Sequence, residues 1–166
     1  RDNIHVVYNG ICTSEQEKNI IISELDHSKK TIMCIARISA QKRFDLFVEM
    51  AQCMPEYNFV WIGAEEVLND LPKNLFCLEG RKNAKKYLQI ADIFILPSNY
   101  EGIPIVIMDA LSYAKPVISS NVGGISEIVI NGVNGYVVDN RIESFVNRIK
   151  YVLENPQVYS QLSIGA

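Results

Sequence analysis

Histidine is scarce in this sequence and paired cysteine is missing. The two histidines, His5 and His27, stand apart from any cysteine or carboxylate cluster, so the ligand spacing of a zinc site is missing. The four cysteines, Cys12, Cys34, Cys53 and Cys77, form no CxxC pair. Three of them lie in apolar segments that read as core, which points to buried free thiols in a reducing compartment. No apolar run approaches the roughly 20 residues that a membrane-spanning helix needs, and no signal peptide opens the chain. Charge of one sign is not in excess either. Sixteen basic against 19 acidic residues give a net charge of −3, which supplies no sequence-wide field for nucleic acid or an anionic membrane surface. The expectation is a soluble, cytoplasmic domain whose anion sites are local.

Several motifs are missing as well. There is no G-x-G-x-x-G after the first strand and no G-x-x-x-x-G-K-[ST], which disfavours a nicotinamide dehydrogenase and a P-loop nucleotidase. No G-x-S-x-G elbow is present, which removes the α/β-hydrolases, and no D-x-D pair of metal-binding carboxylates occurs.

What is present is 166 residues of ordinary globular composition, 48% hydrophobic, read as one domain spanning 1–166 with a sizeable core. "RDNIHVVYNGIC" begins without an initiator Met and runs at once into the strand-like "IHVVY", so the chain reads as an excised piece of a longer protein. From Thr31 an alternating rhythm sets in. "TIMCIA" reads as a strand, "RISAQKR" as a loop and "FDLFVEMAQCM" as a helix with Phe44, Phe47, Val48 and Ala51 at helical spacing. "NFVWIG" and "LFCLEG" read as strands, "KKYLQIA" as a helix, "DIFILP" as a strand, and "KPVISS" as a strand leading through "NVGG" to a short helix "ISEIVI". "NGVNG" carries two Asn-Gly turn signals before "YVVDN". The tail is amphipathic, with Ile142, Phe145, Ile149 and Val152 on one face, and predicts two helices broken near Pro156. Short, continuously apolar strands separated by helices indicate a parallel sheet covered on both faces, a doubly wound α/β sandwich of three layers.

Ligands of such sheets bind beyond the carboxyl ends of the strands, and two loops qualify. Arg37 and Lys42 follow the first strand of the rhythm, where both reach one anion, a diphosphate being the natural guest; solvated surface charges are the alternative. "EGIPIVIMDAL" follows a later strand. Gly102 permits a backbone conformation or a close approach that a side chain forbids, and Pro104 suits the first turn of a helix. The free N–H groups around Gly102, Ile103 and Ile105 then face phosphate or sugar oxygens, with Glu101 beside them. Asp109 sits inside an apolar run, where an unpaired buried carboxylate costs several kcal/mol. A ribose diol offers it two donors; a partly exposed Asp, or one bonded to a neighbouring strand, is the alternative. "VGGISE" at 122–127 reads as a tight strand-to-helix turn with Glu127 in the first helical turn.

Together, "VVYNGIC", "IARISAQKRFDLFVEMA" with its Arg, four residues, Lys spacing, and "ADIFILPSNYEGIPIVIMDALSYAKPVISSNVGGISEIVINGVNGYVV" with its two spaced acids resemble the C-terminal half of the GT-B fold retaining glycosyltransferases, the glycosyl transferases group 1, in order from about Val7 to Tyr159. The resemblance implies a Rossmann-like donor-binding domain and transfer of a sugar from a nucleotide-diphosphate donor, with retention of configuration, to a saccharide or lipid-linked acceptor. It implies that Arg37 and Lys42 hold the diphosphate and offset its growing charge, that Glu101 contacts the sugar hydroxyls, and that the backbone of Gly102, Ile103, Pro104 and Ile105 binds sugar and phosphate. It further implies a metal-independent reaction without a cofactor, an N-terminal acceptor domain and a final crossover helix outside this chain, and a cytoplasmic protein or one peripheral to the inner face of the membrane. The sequence departs from the family at Asp109, where the second acid is usually Glu, at Ala36 and Arg43, which replace common glycines, and at "WIGAEE". A noncatalytic nucleotide-sugar binding module of the same fold is the alternative.

Overall fold

The computed structural model describes residues 20–65, 68–80 and 82–166. The strand expected at "IHVVY", the segment "VVYNGIC" and Cys12 lie outside the described residues. Among the described residues six strands form one sheet: β1 (Thr31–Ile35), β2 (Asn58–Ala64), β3 (Leu75–Glu79), β4 (Ile93–Leu96), β5 (Val117–Ser120) and β6 (Gly135–Val138). All five pairings are parallel, in the order β3-β2-β1-β4-β5-β6. Sequence order reverses between β1 and β4, so the crossovers on the two sides run in opposite directions and their helices cover opposite faces. The helices are α1 (Phe44–Cys53), a 3₁₀ helix (Ala84–Ile90), α2 (Ile105–Ser112), α3 (Ile125–Ile128), α4 (Ile142–Leu153) and α5 (Pro156–Gly165). α1 packs with α4 and α4 with α5, whereas α2 packs against the 3₁₀ helix.

The strands are buried because both faces are covered: Ile32, Met33 and Cys34 in β1 and Ile93 to Leu96 in β4 have no exposed surface. Aromatic rings clamp α1 to β2. Phe47 meets Phe59 and Trp61 edge-on at 5.3 and 5.2 Å between centroids, and Phe44 meets Trp61 at 5.0 Å. Such pairs add about 0.5–1.5 kcal/mol each beyond the area they bury. The clamp fixes the start of α1, and with it the loop that follows β1.

The structure moves a few expectations. The buried stripe of α1 is Leu46, Phe47, Met50 and Ala51, with Phe44 and Val48 at its margin. The segment before β4 is a helix of 3₁₀ type, closed by bonds such as Lys86 N to Asn83 O, with no side-chain cap at Asn83. Of the two glycines of "NGVNG", Gly132 is left-handed and Gly135 opens β6. The turn is stitched by its asparagines, with Ile130 N–H donating to Asn134 Oδ1 and Val137 N–H to Asn131 Oδ1, both at 2.8 Å. Pro156 begins α5 as expected. Cys34 is buried, but Cys77 is half-buried and Cys53, at the end of α1, is exposed; these three thiols are free.

Candidate functional site

The loops expected to carry ligand leave the carboxyl ends of β1 and β4, the adjacent strands between which the sheet reverses. In open α/β sheets this switch point is where a crevice forms. Residues 36–43 from β1 and 97–104 from β4 form its walls, and Lys42 Nζ donates across it to Glu101 Oε1 in an ion pair. The pair is sheltered: the Lys42 side chain is 20% exposed and that of Glu101 8%. Sequence spacing placed Lys42 beside Arg37; the fold instead couples it to Glu101, 59 positions away. Arg37 is exposed on the β1 side of the crevice, and no hydrogen bond or ion pair joins it to either.

Three residues that sequence reasoning missed join the walls. Asn99 N–H donates to Gln41 O at 2.8 Å, Asn99 Nδ2 to Ala40 O at 2.9 Å, and Gln41 Nε2 to Tyr100 O at 2.9 Å. Asn140, just after β6, donates through Nδ2 to Ser98 O at 3.2 Å and Asn99 Oδ1 at 3.0 Å. Each of these bonds links residues remote in sequence, and an isolated Asn or Gln in a loop carries no pattern that would reveal it. Lys42 and Glu101 thus sit on a doubly stitched backbone. Arg43, next to Lys42, adopts the left-handed conformation (φ 54°, ψ 51°) that a glycine takes at no cost. Its guanidinium is held by Asp45, with Nε 3.1 and 3.0 Å from the two carboxylate oxygens. Beneath the pair, burial pushes the Cys34 thiol well above its usual range, Lys42 and Glu101 acting on it in opposite senses.

Pro104 lies one position earlier than expected. It is the N-cap of α2, in extended conformation, and the helix begins at Ile105 without a side-chain cap. No hydrogen bond to the N–H groups of Gly102, Ile103 or Ile105 occurs among the described residues, so they remain available at the positive end of the helix. Gly102 is not required by the protein's own packing: a Cβ there meets nothing within 4 Å, and its φ is not left-handed. Gly123 in "VGGISE" is required instead, with φ +55° and its Cβ position 1.8 Å from Glu101 O. That tight turn, closed by Gly124 N–H donating to Gly102 O at 3.1 Å, braces the Glu101 loop from the β5 side.

Asp109, in the second turn of α2, is half-buried rather than buried. No hydrogen bond or ion pair to its carboxylate occurs among the described residues, so it is not tied to a neighbouring strand. Burial raises its pKa, and Lys85 on the 3₁₀ helix partly offsets the rise. Among the described residues no group of three or more His, Cys, Asp and Glu side chains is placed to hold a metal, and no helix is long and apolar enough to cross a membrane.

The profile of the family Glycosyl transferases group 1 matches residues 15–166. The chain belongs to that family. It is 33% identical over 138 residues to the Escherichia coli UDP-Gal:alpha-D-GlcNAc-diphosphoundecaprenol alpha-1,3-galactosyltransferase, covering 73% of this chain and 36% of that protein. The chain spans 36–42% of the length of three such curated relatives. Among solved structures, a point mutant of S. aureus TarM in a complex containing UDP superposes with a TM-score of 0.79 at 20% identity, over 98% of this chain and 35% of that one. The C-terminal domain of the Francisella tularensis group 1 protein LpcC superposes with a TM-score of 0.69 at 18% identity, over 81% of this chain and 80% of that one. The sheet is therefore the Rossmann-like one of the C-terminal half of a GT-B glycosyltransferase.

Proposed function

We propose that this chain is the donor-binding domain of a retaining glycosyltransferase that moves a sugar from a nucleotide diphosphate to a saccharide or lipid-linked acceptor. The observation that carries the reading is the sheltered Lys42–Glu101 pair at the switch point, beside the free N–H groups that open α2. A cation and three amide donors suit a diphosphate, and a carboxylate beside them suits sugar hydroxyls. The names of the relatives agree: one uses UDP-Gal and another was solved with UDP.

Arg37 and Lys42 hold the diphosphate and offset the charge that grows on it as the sugar leaves, the role a metal takes in other transferases; we propose metal-independent transfer on that ground. Glu101 orients the sugar through its hydroxyls, the Gly102–Ile105 backbone binds phosphate and sugar oxygens, and Asp109 accepts from the ribose diol. The acceptor site and the remainder of the crevice belong to an N-terminal domain of the longer protein, which works in the cytoplasm or at the inner face of the membrane. Alone, this domain binds donor without turnover. In the alternative, a noncatalytic binding module, Asp109 marks a site that has drifted from transfer, and assaying the longer protein for sugar transfer decides between them.

The domain reading is tested by titrating ¹⁵N-labelled protein with UDP, GDP and ADP. Amide shifts are expected at residues 36–43 and 101–109 for at least one nucleotide; saturation with all three without such shifts would show the donor-site reading to be wrong.

A further inference from the structure

The cation expected to meet the donor's diphosphate already has a partner within the chain. Lys42 is paired to Glu101, both side chains are sheltered from water, and the backbone on either side is stitched by Asn99 and Gln41. A diphosphate that takes Lys42 therefore exchanges one partner for another, and it leaves a carboxylate with 8% exposure beside the arriving phosphates. Unpairing one member of a buried charge pair is costly because the other stays desolvated. The cost differs between two ligands that share a nucleotide. In a nucleotide sugar the terminal phosphate is esterified, carries about one negative charge fewer at neutral pH, and brings hydroxyl donors to the freed carboxylate. In the free nucleoside diphosphate the extra charge faces Glu101 and nothing donates to it.

We propose that Glu101 is an internal counter-ion which makes the site selective for the sugar-bearing nucleotide over the free nucleoside diphosphate, so that loss of the sugar weakens the grip on the nucleotide left behind. This rests on the donor-site reading above and adds to it a discrimination between substrate and product. Because Gln41 and Asn99 hold the two backbones, the exchange needs movement of side chains only.

The test compares UDP, GDP and ADP with their glucose and galactose conjugates by calorimetry, in wild type and Glu101→Gln. The glutamine removes the charge and keeps an acceptor. The expected result is about a tenfold gain in affinity for the free nucleotide in Glu101→Gln, with the conjugate changed less than threefold. Equal change for both ligands, or weaker binding of the free nucleotide, overturns the proposal. If Glu101→Gln fails to fold, the wild-type Glu101 carboxyl carbon is followed by NMR instead. Its signal moves when the free nucleotide saturates the site if the pair opens, and a stationary signal overturns the proposal. Absence of binding by every nucleotide and conjugate to wild type is a different outcome, which removes the donor-site reading itself.

Discussion

Adding one methyl group at Gly123 tests whether the site is braced as described. In Gly123→Ala the new Cβ falls 1.8 Å from Glu101 O and 2.8 Å from Glu101 C, main-chain atoms that cannot swing aside. The φ of +55° adds a conformational cost of about 1–2 kcal/mol for an L-residue. Overpacking a rigid contact costs about 1–3 kcal/mol, so the sum is about 2–5 kcal/mol. A domain of this size loses about 2–4 °C of Tm per kcal/mol, which sets the expected fall at about 4–20 °C. Relief requires the Glu101 loop to move, so nucleotide binding should weaken together with stability. Gly102→Ala is the control, because its Cβ meets nothing within 4 Å. It should melt within about 2 °C of wild type, as exposed substitutions do, yet weaken nucleotide binding if ligand approaches the backbone there. Circular dichroism melts and UDP, GDP and ADP titrations of both variants give the answer. A Gly123→Ala protein as stable as wild type would refute the close packing of the β5 and β4 loops.

Arg37→Ala and Lys42→Ala should each weaken diphosphate binding by about 1.5–3 kcal/mol, but only Lys42→Ala should also lower Tm, because it strands the sheltered Glu101; equal melting of the two variants would contradict the ion pair. Asp109→Asn should stabilise the ligand-free domain at pH 7. The folded pKa is raised by burial, so the ionised form carries a penalty that is complete above the folded pKa and disappears as pH falls below the unfolded value, and the advantage of Asn should vanish in acid melts. A 2′-deoxy nucleotide should bind wild type more weakly than its ribose form by about 1 kcal/mol, a difference that should shrink in Asp109→Asn when both are measured by calorimetry. Asn74→Ala should cost about 1–3 kcal/mol in urea unfolding, since Asn74 Nδ2 reaches Ala51 O, Met54 O and Tyr57 O, each at 3.0 Å.

The strands were legible because burial on both faces turns each into a short, unbroken apolar run, and "TIMCIA", "NFVWIG" and "DIFILP" all contain strands of the sheet. Pro156 was legible for the opposite reason: a residue without an N–H begins a helix more readily than it continues one. The stripe of α1 was misread by one position because helical spacing fits Phe44, Phe47, Val48 and Ala51 as well as Leu46, Phe47, Met50 and Ala51, and depth is set by how the helix rolls onto β2. At the site, Lys42 and Glu101 were each found from chemistry beside a strand end, but their pairing needs β1 and β4 to be neighbours, and strand order is not written in local pattern. Glycine was noticed at Gly102, where the fold does not need it, and taken for an ordinary turn at Gly123, where it does. Only the backbone on the far side of the contact distinguishes the two.

The reversal of strand order between β1 and β4 also orders the events of folding. β1 pairs with β2 through Ile32 and Phe59, but with β4 through Ile32 and Ile93. The second closure spans about twice as much chain and costs about 0.6 kcal/mol more in loop entropy. Strands β1 to β3 are therefore expected to assemble as one local unit and β4 to β6 as another, with the seam between them closing last, an order that stopped-flow kinetics of seam variants would check. Lys42 and Glu101 lie on opposite sides of that seam. Substitutions that break their pair should then accelerate unfolding while leaving the folding rate almost unchanged, as for any contact absent from the transition state.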